Sequence, residues 1–340
     1  MPEAAPATAV VFAYHNVGVR CLQVLLDAGV DVKLVVTHTD NPKETIWFDS
    51  VADLALSRNI PTLTMDDATN GSAKALPLDA EGGPEGTLDR PKARQSNIRE
   101  VIGEVVAASP DFLFSFYYRQ MLGPDILAIP KRGAFNMHGS LLPRYRGRVP
   151  INWAIIKGET ETGATLHEMV TKPDAGRIVA QQAVSIGPDE TAVEVFHKVT
   201  DAAAAVLAHS LQGLIDGSAE LIEQDLKAGS YYGGRKPEDG VIDWSKSAKD
   251  IHNLVRAVAP PYPGATSAVM GQPINIHRTA LAPAHFKHHK PGFINVSTGR
   301  CIALCGDGCM LRILEAEYAG KVLDEAALAA ALGVGVHPLG

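Results

Sequence analysis

Cysteine is scarce in this 340-residue chain: the four present, Cys21, Cys301, Cys305 and Cys309, are too few and too unevenly spread for a disulfide framework. No stretch approaches the roughly 18 uninterrupted apolar residues that a membrane-spanning helix needs. Met1 to Thr8 carries no basic region followed by an apolar block, so neither membrane insertion nor a secretory leader is expected. Net positive charge is missing too: the balance is −7 with a pI near 5.9, which repels a long polyanion and favours a small substrate over nucleic acid. No Gly-x-Gly-x-x-Gly follows a strand, so no second dinucleotide-binding unit is expected. These absences leave a cytoplasmic enzyme acting on small molecules.

What is present is an ordinary globular balance, 46% hydrophobic and 20% charged. The opening alternates: a strand over Thr8 to Tyr14, a helix over about Val17 to Ala28, a strand over Val32 to Thr37, a helix over Phe48 to Arg58 and a strand over Pro61 to Met65. That order predicts an α/β fold with a parallel sheet covered by helices. From Asp66 to Gln95 the chain is rich in Gly, Pro, Asp and Ala without periodicity and reads as a flexible, solvated insertion, with a lid as the alternative. The pattern resumes with a helix over Asn97 to Ala108, strands over Phe112 to Tyr117, Gly133 to Met137 and Thr162 to Val170, and a long helix over Ala192 to Asp216. Beyond Gly229 to Gly234, short strands punctuated by Gly and Pro suggest a small β-barrel or sandwich, and Leu323 to Gly340 a short helix with a loose end.

Ligands of open α/β sheets bind outside the carboxyl ends of the strands, which directs attention to the segments after Phe112–Tyr117 and Gly133–Met137. The second of these runs Phe135-Asn136-Met137-His138-Gly139-Ser140-Leu141-Leu142-Pro143-Arg144-Tyr145-Arg146-Gly147-Arg148. In an extended chain residues two apart point the same way, so Asn136 and His138 present an amide and an imidazole to one site. An amide NH2 can donate to a developing oxyanion and an imidazole can move protons near neutrality, a pairing suited to acyl transfer to an amine. A carboxylate follows in the turn-rich loop Lys172-Pro173-Asp174-Ala175-Gly176, where Asp174 reads either as a partner of His138 or as a helix N-cap or turn residue.

The Asn-x-His pair, the Ser-Leu-Leu-Pro-x-Tyr-Arg-Gly run, Gly158 to Gly163 and Asp174-Ala175-Gly176 stand in the order of the formyltetrahydrofolate-dependent formyltransferases, which the chain resembles from about Thr8 to Glu317. The resemblance implies a Rossmann-like catalytic domain over 1–222 carrying the 66–95 insertion, a small OB-like β-barrel over 223–317 and a tail over 318–340. It implies catalytic roles for Asn136, His138 and Asp174. It also implies 10-formyltetrahydrofolate as formyl donor, held by Phe116, Tyr117, Tyr118, Arg148, Val170, Thr171, Lys172, Pro173 and Asp174, and no metal. Arg119, Tyr145 and Arg146 are the residues expected at the acceptor.

Less general runs discriminate within the family: Val11 to His15, Thr37 to Pro42, Ser115 to Arg119, Val255 to Val258 and Pro261 to Ala265 are similar to formyltransferases of UDP-4-amino-4-deoxy-L-arabinose, which implies a sugar-nucleotide acceptor and a role in lipid A modification and polymyxin resistance. With no dehydrogenase segment after Gly340, a stand-alone enzyme with a separate oxidative decarboxylase is expected. A homo-oligomer stays open, since no interface is legible. Methionyl-tRNA formyltransferase is the alternative, against which the acidic balance counts; a non-catalytic folate or sugar-nucleotide binder and a formyl-folate hydrolase are further readings. Cys301, Cys305 and Cys309 with His288 or His289 could furnish a zinc site, yet the two-residue knuckle is absent and Gly306-Asp307-Gly308 reads as a hairpin turn. The basic cluster His285 to Lys290 reads as a solvated loop.

Overall fold

The computed structural model describes residues 5–40, 45–65, 93–285 and 290–340. In chain order the first elements are β1 (Thr8–Ala13), α1 (His15–Asp27), β2 (Asp31–His38), α2 (Val51–Ser57), β3 (Thr62–Met65), β4 (Arg94–Gln95), α3 (Ile98–Ala108), β5 (Phe112–Phe116), α4 (Pro124–Leu127) and β6 (Gly133–His138). Then come β7 (Arg146–Gly147), α5 (Pro150–Ile156), β8 (Glu161–Glu168), β9 (Ile178–Ser185), α6 (Ala192–Asp216), β10 (Tyr231–Tyr232) and α7 (Ala248–Val258). The chain closes with β11 (Ala265–Val269), β12 (Gln272–His285), β13 (Phe293–Ser297), β14 (Arg300–Leu304), β15 (Cys309–Tyr318), β16 (Lys321–Asp324), α8 (Glu325–Leu332) and β17 (Gly335–Pro338).

Two compact units result. The first comprises 1–138, 164–182 and 200–226, the second 139–163, 183–199 and 227–340, so the segment after His138 belongs to the second unit although it lies far upstream of residue 222. The first unit is built on the sheet β4-β3-β2-β1-β5-β6-β8-β9. β1 pairs in parallel with β2 and β5, and β5 with β6. Its central strands are continuous apolar runs because both faces are covered: Val10, Val11, Phe12, Leu113 and Phe114 are all inaccessible to solvent. The expected helix from Asn97 is α3, with Asn97 as its N-cap: its side chain accepts from the backbone N–H groups of Arg99 and Glu100 while Glu100 accepts from the Asn97 N–H.

The strand β8 breaks the parallel order by pairing antiparallel with β6. The end of the expected insertion also behaves differently from a loop, for Arg94 and Gln95 pair in parallel with Leu63 and Thr64. Residues 66–92 of that insertion lie outside the described residues.

In the second unit the strands form a curled antiparallel sheet, β11-β12-β15-β14-β13-β17, with β16 added beside β15. Irregularities in the β12 register between Ile276 and Thr279 and between Ala282 and His285 interrupt the ladder, as bulges that bend strands do. Gly306 to Gly308 make the expected hairpin turn, with Cys305 N–H donating to the Cys309 carbonyl at 3.0 Å. The short helix expected after Leu323 is α8 at Glu325–Leu332, but the end beyond it is not loose, for β17 pairs with β13. Among the described residues no helix is long and apolar enough to cross a membrane.

Candidate active site

The pleat of β6 puts Asn136 and His138 on one face while Phe135 and Met137 bury themselves on the other. Because β8 runs antiparallel, Asn136 stands directly opposite His167, and His138 opposite Thr165. Side chains directly across an antiparallel pair lie close, on the same face. Asn136 Nδ2 accordingly lies 3.1 Å from His167 Nε2. The other ring nitrogen of His167, Nδ1, is 2.8 Å from the Glu168 carbonyl oxygen. His138 and His167 are both buried, at 6% and 1% exposure, with ring centroids 6.4 Å apart.

Asp174 comes from the loop after β8. Its backbone is left-handed (φ 50°) and belongs to no helix, so it is not an N-cap. Its Oδ1 lies 3.6 Å from His138 Nδ1 and 3.6 Å from His167 Nε2. At that separation Asp174 acts on both rings by charge rather than by a hydrogen bond. Three attachments hold the loop. Met169 N–H donates to the Ala134 carbonyl at 2.7 Å; Arg177 forks onto the Glu168 carboxylate at 2.9 and 3.0 Å; and Gln224 Nε2 donates to the carbonyls of Asp174 and Gly176. Gly176 is required by contact: a Cβ there would sit 2.0 Å from the Glu168 carbonyl oxygen, the same oxygen that His167 Nδ1 meets. The glycine of the Asp-x-Gly motif thus lets the loop pass against that carbonyl and bring Asp174 to the two imidazoles.

The residues expected to meet the folate fall into three sorts. Phe116 is wholly buried in β5. Tyr117, just after it, is left-handed (φ 57°), and its neighbour Tyr118 turns back onto the core, stacked on His38 at 4.2 Å, edge-on to Phe12 at 5.2 Å, with its hydroxyl 3.2 Å from Met65 Sδ. What these residues offer at the strand end is therefore mainly backbone. Val170, Thr171 and Lys172 are exposed, and Pro173 and Asp174 half-buried. Arg119, expected at the acceptor, donates its backbone N–H to His38 Nε2 at 3.0 Å and holds its guanidinium 4.6 Å from the Tyr14 ring, whose hydroxyl donates to Asp40 at 2.8 Å. Tyr14, His38, Asp40, Phe48, Asp49 and Ser50 line a cleft there.

Arg148, Tyr145 and Arg146 lie in the second unit. Ser140 Oγ donates to the Arg144 carbonyl at 2.7 Å. Tyr145 stacks on Tyr232 at 5.3 Å, Trp153 stacks on the same Tyr232 at 5.1 Å, and the Tyr145 hydroxyl donates to Glu159 at 2.7 Å. Arg144 also pairs with Glu159. Burial, then Glu159, push the Tyr145 phenol far up. Burial would raise Glu159 as well, but the hydrogen bonds from Arg144 and Tyr145 outweigh it and hold that carboxyl below its ordinary range. Arg146 is buried, and Arg148 is exposed with its backbone N–H on the Tyr232 carbonyl at 2.9 Å.

Cys301 and Cys305 are buried, and burial raises both thiols, Cys301 to about 11 and Cys305 to about 12. Among the described residues no group of His, Cys, Asp and Glu is arranged to hold a metal ion, and His288 and His289 lie outside them.

Residues 11–211 match the formyl transferase family, and residues 235–330 match its C-terminal domain. Among solved structures, the N-formyltransferase of Helicobacter canadensis in complex with folinic acid and dTDP-3-aminofucose superposes with a TM-score of 0.65 at 17% identity, over 90% of this chain and 98% of that one. WlaRD, a sugar 3N-formyl transferase seen with dTDP and 5-N-formyl-THF, gives 0.64 at 19% identity, over 93% and 98%. A 4-N formyltransferase from Francisella tularensis gives 0.56 at 17%, over 76% and 91%. At such identities these structures speak for the fold, whereas the family match takes in most of the sequence, including every residue of the Asn136, His138 and Asp174 cluster. The chain belongs to the formyl transferase family.

Proposed function

We propose that this enzyme transfers the formyl group of 10-formyltetrahydrofolate to the 4-amine of UDP-4-amino-4-deoxy-L-arabinose, with Asn136, His138 and Asp174 as its catalytic set. The observation that carries the reading is the convergence of an amide, an imidazole and a carboxylate at the ends of β6 and β8, with Asp174 Oδ1 3.6 Å from His138. In this scheme the neutral amine attacks the formyl carbon while Asn136 donates from Nδ2 to the oxygen on which charge develops. His138 accepts the proton the amine must lose and returns one to the departing folate nitrogen, and Asp174 favours the charged imidazolium in between. The folate would run along Phe116 to Tyr118, Val170 to Asp174 and Arg148, and the acceptor would meet Arg119, Tyr145 and Arg146.

A sugar nucleotide as acceptor is supported by two observations. The structural relatives described above are N-formyltransferases, one of them named a sugar 3N-formyl transferase, and two are seen with a dTDP ligand and a folate derivative. Tyr14, His38, Asp40 and Arg119, all from the runs that discriminate within the family, meet at one cluster beside the strand ends. On this reading the product serves lipid A modification and polymyxin resistance in the cytoplasm, and the oxidative decarboxylase of the pathway is a separate protein. The test offers purified protein 10-formyltetrahydrofolate with either UDP-4-amino-4-deoxy-L-arabinose or methionyl-tRNA. Formylation of the sugar nucleotide alone is the expected result, and transfer to tRNA alone would replace the acceptor with the alternative one.

A further inference from the structure

We propose that His167 is a positioning residue for the reaction: as a neutral imidazole protonated on Nδ1, it fixes which end of the Asn136 amide points into the site. The inference rests on the oxyanion role given to Asn136 above. A carbonyl oxygen can only accept, so the 2.8 Å contact between Nδ1 and the Glu168 carbonyl puts the ring proton on Nδ1. In the neutral ring Nε2 then offers a lone pair, and the group 3.1 Å away, the Asn136 amide, must present NH2 rather than oxygen to it. One amide hydrogen is bound by His167 and the amide plane is thereby set. The second hydrogen of the same NH2 is the one that can reach a developing oxyanion.

A ring protonated at both nitrogens would reverse the arrangement. Two donors would face each other across 3.1 Å, and the amide would flip to turn its oxygen towards His167, withdrawing its NH2 from the position it holds. Asp174 Oδ1, 3.6 Å from Nε2, is too far to take the hydrogen-bonding place that the Asn136 amide holds at that nitrogen. The backbone fixes the ring's place and its Nδ1–H bond twice over. Cross-strand register sets His167 opposite Asn136, and Gly176 packs against the very carbonyl that takes the Nδ1 proton.

The test is a double-mutant cycle on the whole enzyme. His167→Phe keeps the ring and removes both nitrogens; His167→Gln keeps a side-chain acceptor. We expect His167→Phe to lower kcat about 10- to 100-fold, part of the roughly 10²- to 10³-fold that losing an oxyanion donor costs. KM for the folate should stay within about twofold, because a positioning residue acts on the transition state. His167→Gln should recover at least a third of the loss on a logarithmic scale. In an Asn136→Ala background His167→Phe should cost less than about twofold more, the signature of two residues acting as one. A kcat near wild type in His167→Phe, or a full additional loss in the Asn136→Ala background, would overturn the inference. Near-normal turnover by Asn136→Ala alone would instead remove the oxyanion reading on which it rests. Independently of activity and of any variant's folding, ¹⁵N shifts of the wild-type His167 ring should report the Nδ1-protonated neutral tautomer at pH 7, and an Nε2-protonated or doubly protonated ring would overturn it.

Discussion

Two loops of this molecule use the same backbone device for opposite ends. In the first unit Gly176 passes so close to the Glu168 carbonyl that a Cβ would stand 2.0 Å from its oxygen; in the second Gly147 does the same against the Tyr232 carbonyl, at 2.1 Å. The first loop is short in motif and rich in consequence, since it delivers Asp174 to two buried imidazoles. The second carries the longest motif in the chain, Ser140 to Gly147, yet its side chains are largely absorbed by their own surroundings: Ser140 on a carbonyl, Tyr145 in an aromatic stack and on Glu159, Arg144 on Glu159. A long motif therefore marks a demanding fold as readily as it marks chemistry.

The sharpest way to test that contrast is to remove side chains from each loop's neighbourhood and separate activity from stability. Asn136→Ala and His138→Ala should each lower turnover by about 10²-fold or more, the scale of a lost oxyanion donor or general base, while thermal melting shows the fold retained. Turnover near the wild-type value from either variant would end the assignment. Next in size is Gly176→Ala. The new methyl must displace the Glu168 carbonyl, and we expect a loss of about 1–3 kcal/mol in denaturant unfolding together with a fall in kcat, because both Asp174 and His167 depend on that carbonyl. Full stability and full activity in this variant would show that the close approach has no role in placing Asp174. Smaller again is Tyr145→Phe, which deletes one hydrogen bond to a carboxylate: about 1–2 kcal/mol should be lost with turnover of bound substrates within about twofold. A large loss of turnover with unchanged stability would instead make that hydroxyl part of the chemistry and erase the contrast between the loops.

How far the sequence discloses these features follows from where their causes lie. The strands β1, β2, β5 and β6 are legible because continuous apolar runs are local, and α3 because Asn97 and Glu100 spell its capping box. The strands β4 and β17 are not, since two to four residues of pairing are set by partners far away in sequence. Asn136 and His138 share a face by the simple period of a strand, and Asp174 emerges from its motif. His167 is not legible because its significance is a matter of register: only the antiparallel pairing of β8 with β6 sets it across from Asn136. The signal available in advance was a histidine within the apolar strand 162–170, a position at which a polar ring must find partners for both nitrogens.

The finest discrimination between the two loops is one of pH. Glu159, in the second unit, is held below its ordinary value of 4.5 because the hydrogen bonds from Arg144 and Tyr145 outweigh the burial that would raise it. A carboxyl whose folded pKa is depressed adds stability that is fully present above the unfolded value and fades as pH falls through the folded one. Stability of the wild type should therefore fall along an acid limb beginning near pH 4.5, and part of that limb should disappear in Glu159→Gln, whose side chain cannot ionise. With about a quarter of the side chain exposed, solvent screens the interaction, so the difference between the two proteins should be smaller than the loss in Tyr145→Phe. Superimposable acid limbs in urea titrations at pH 3 to 6 would mean that Glu159 gains nothing from Arg144 and Tyr145 by being charged, and that the second loop is held by its stack and its glycine alone.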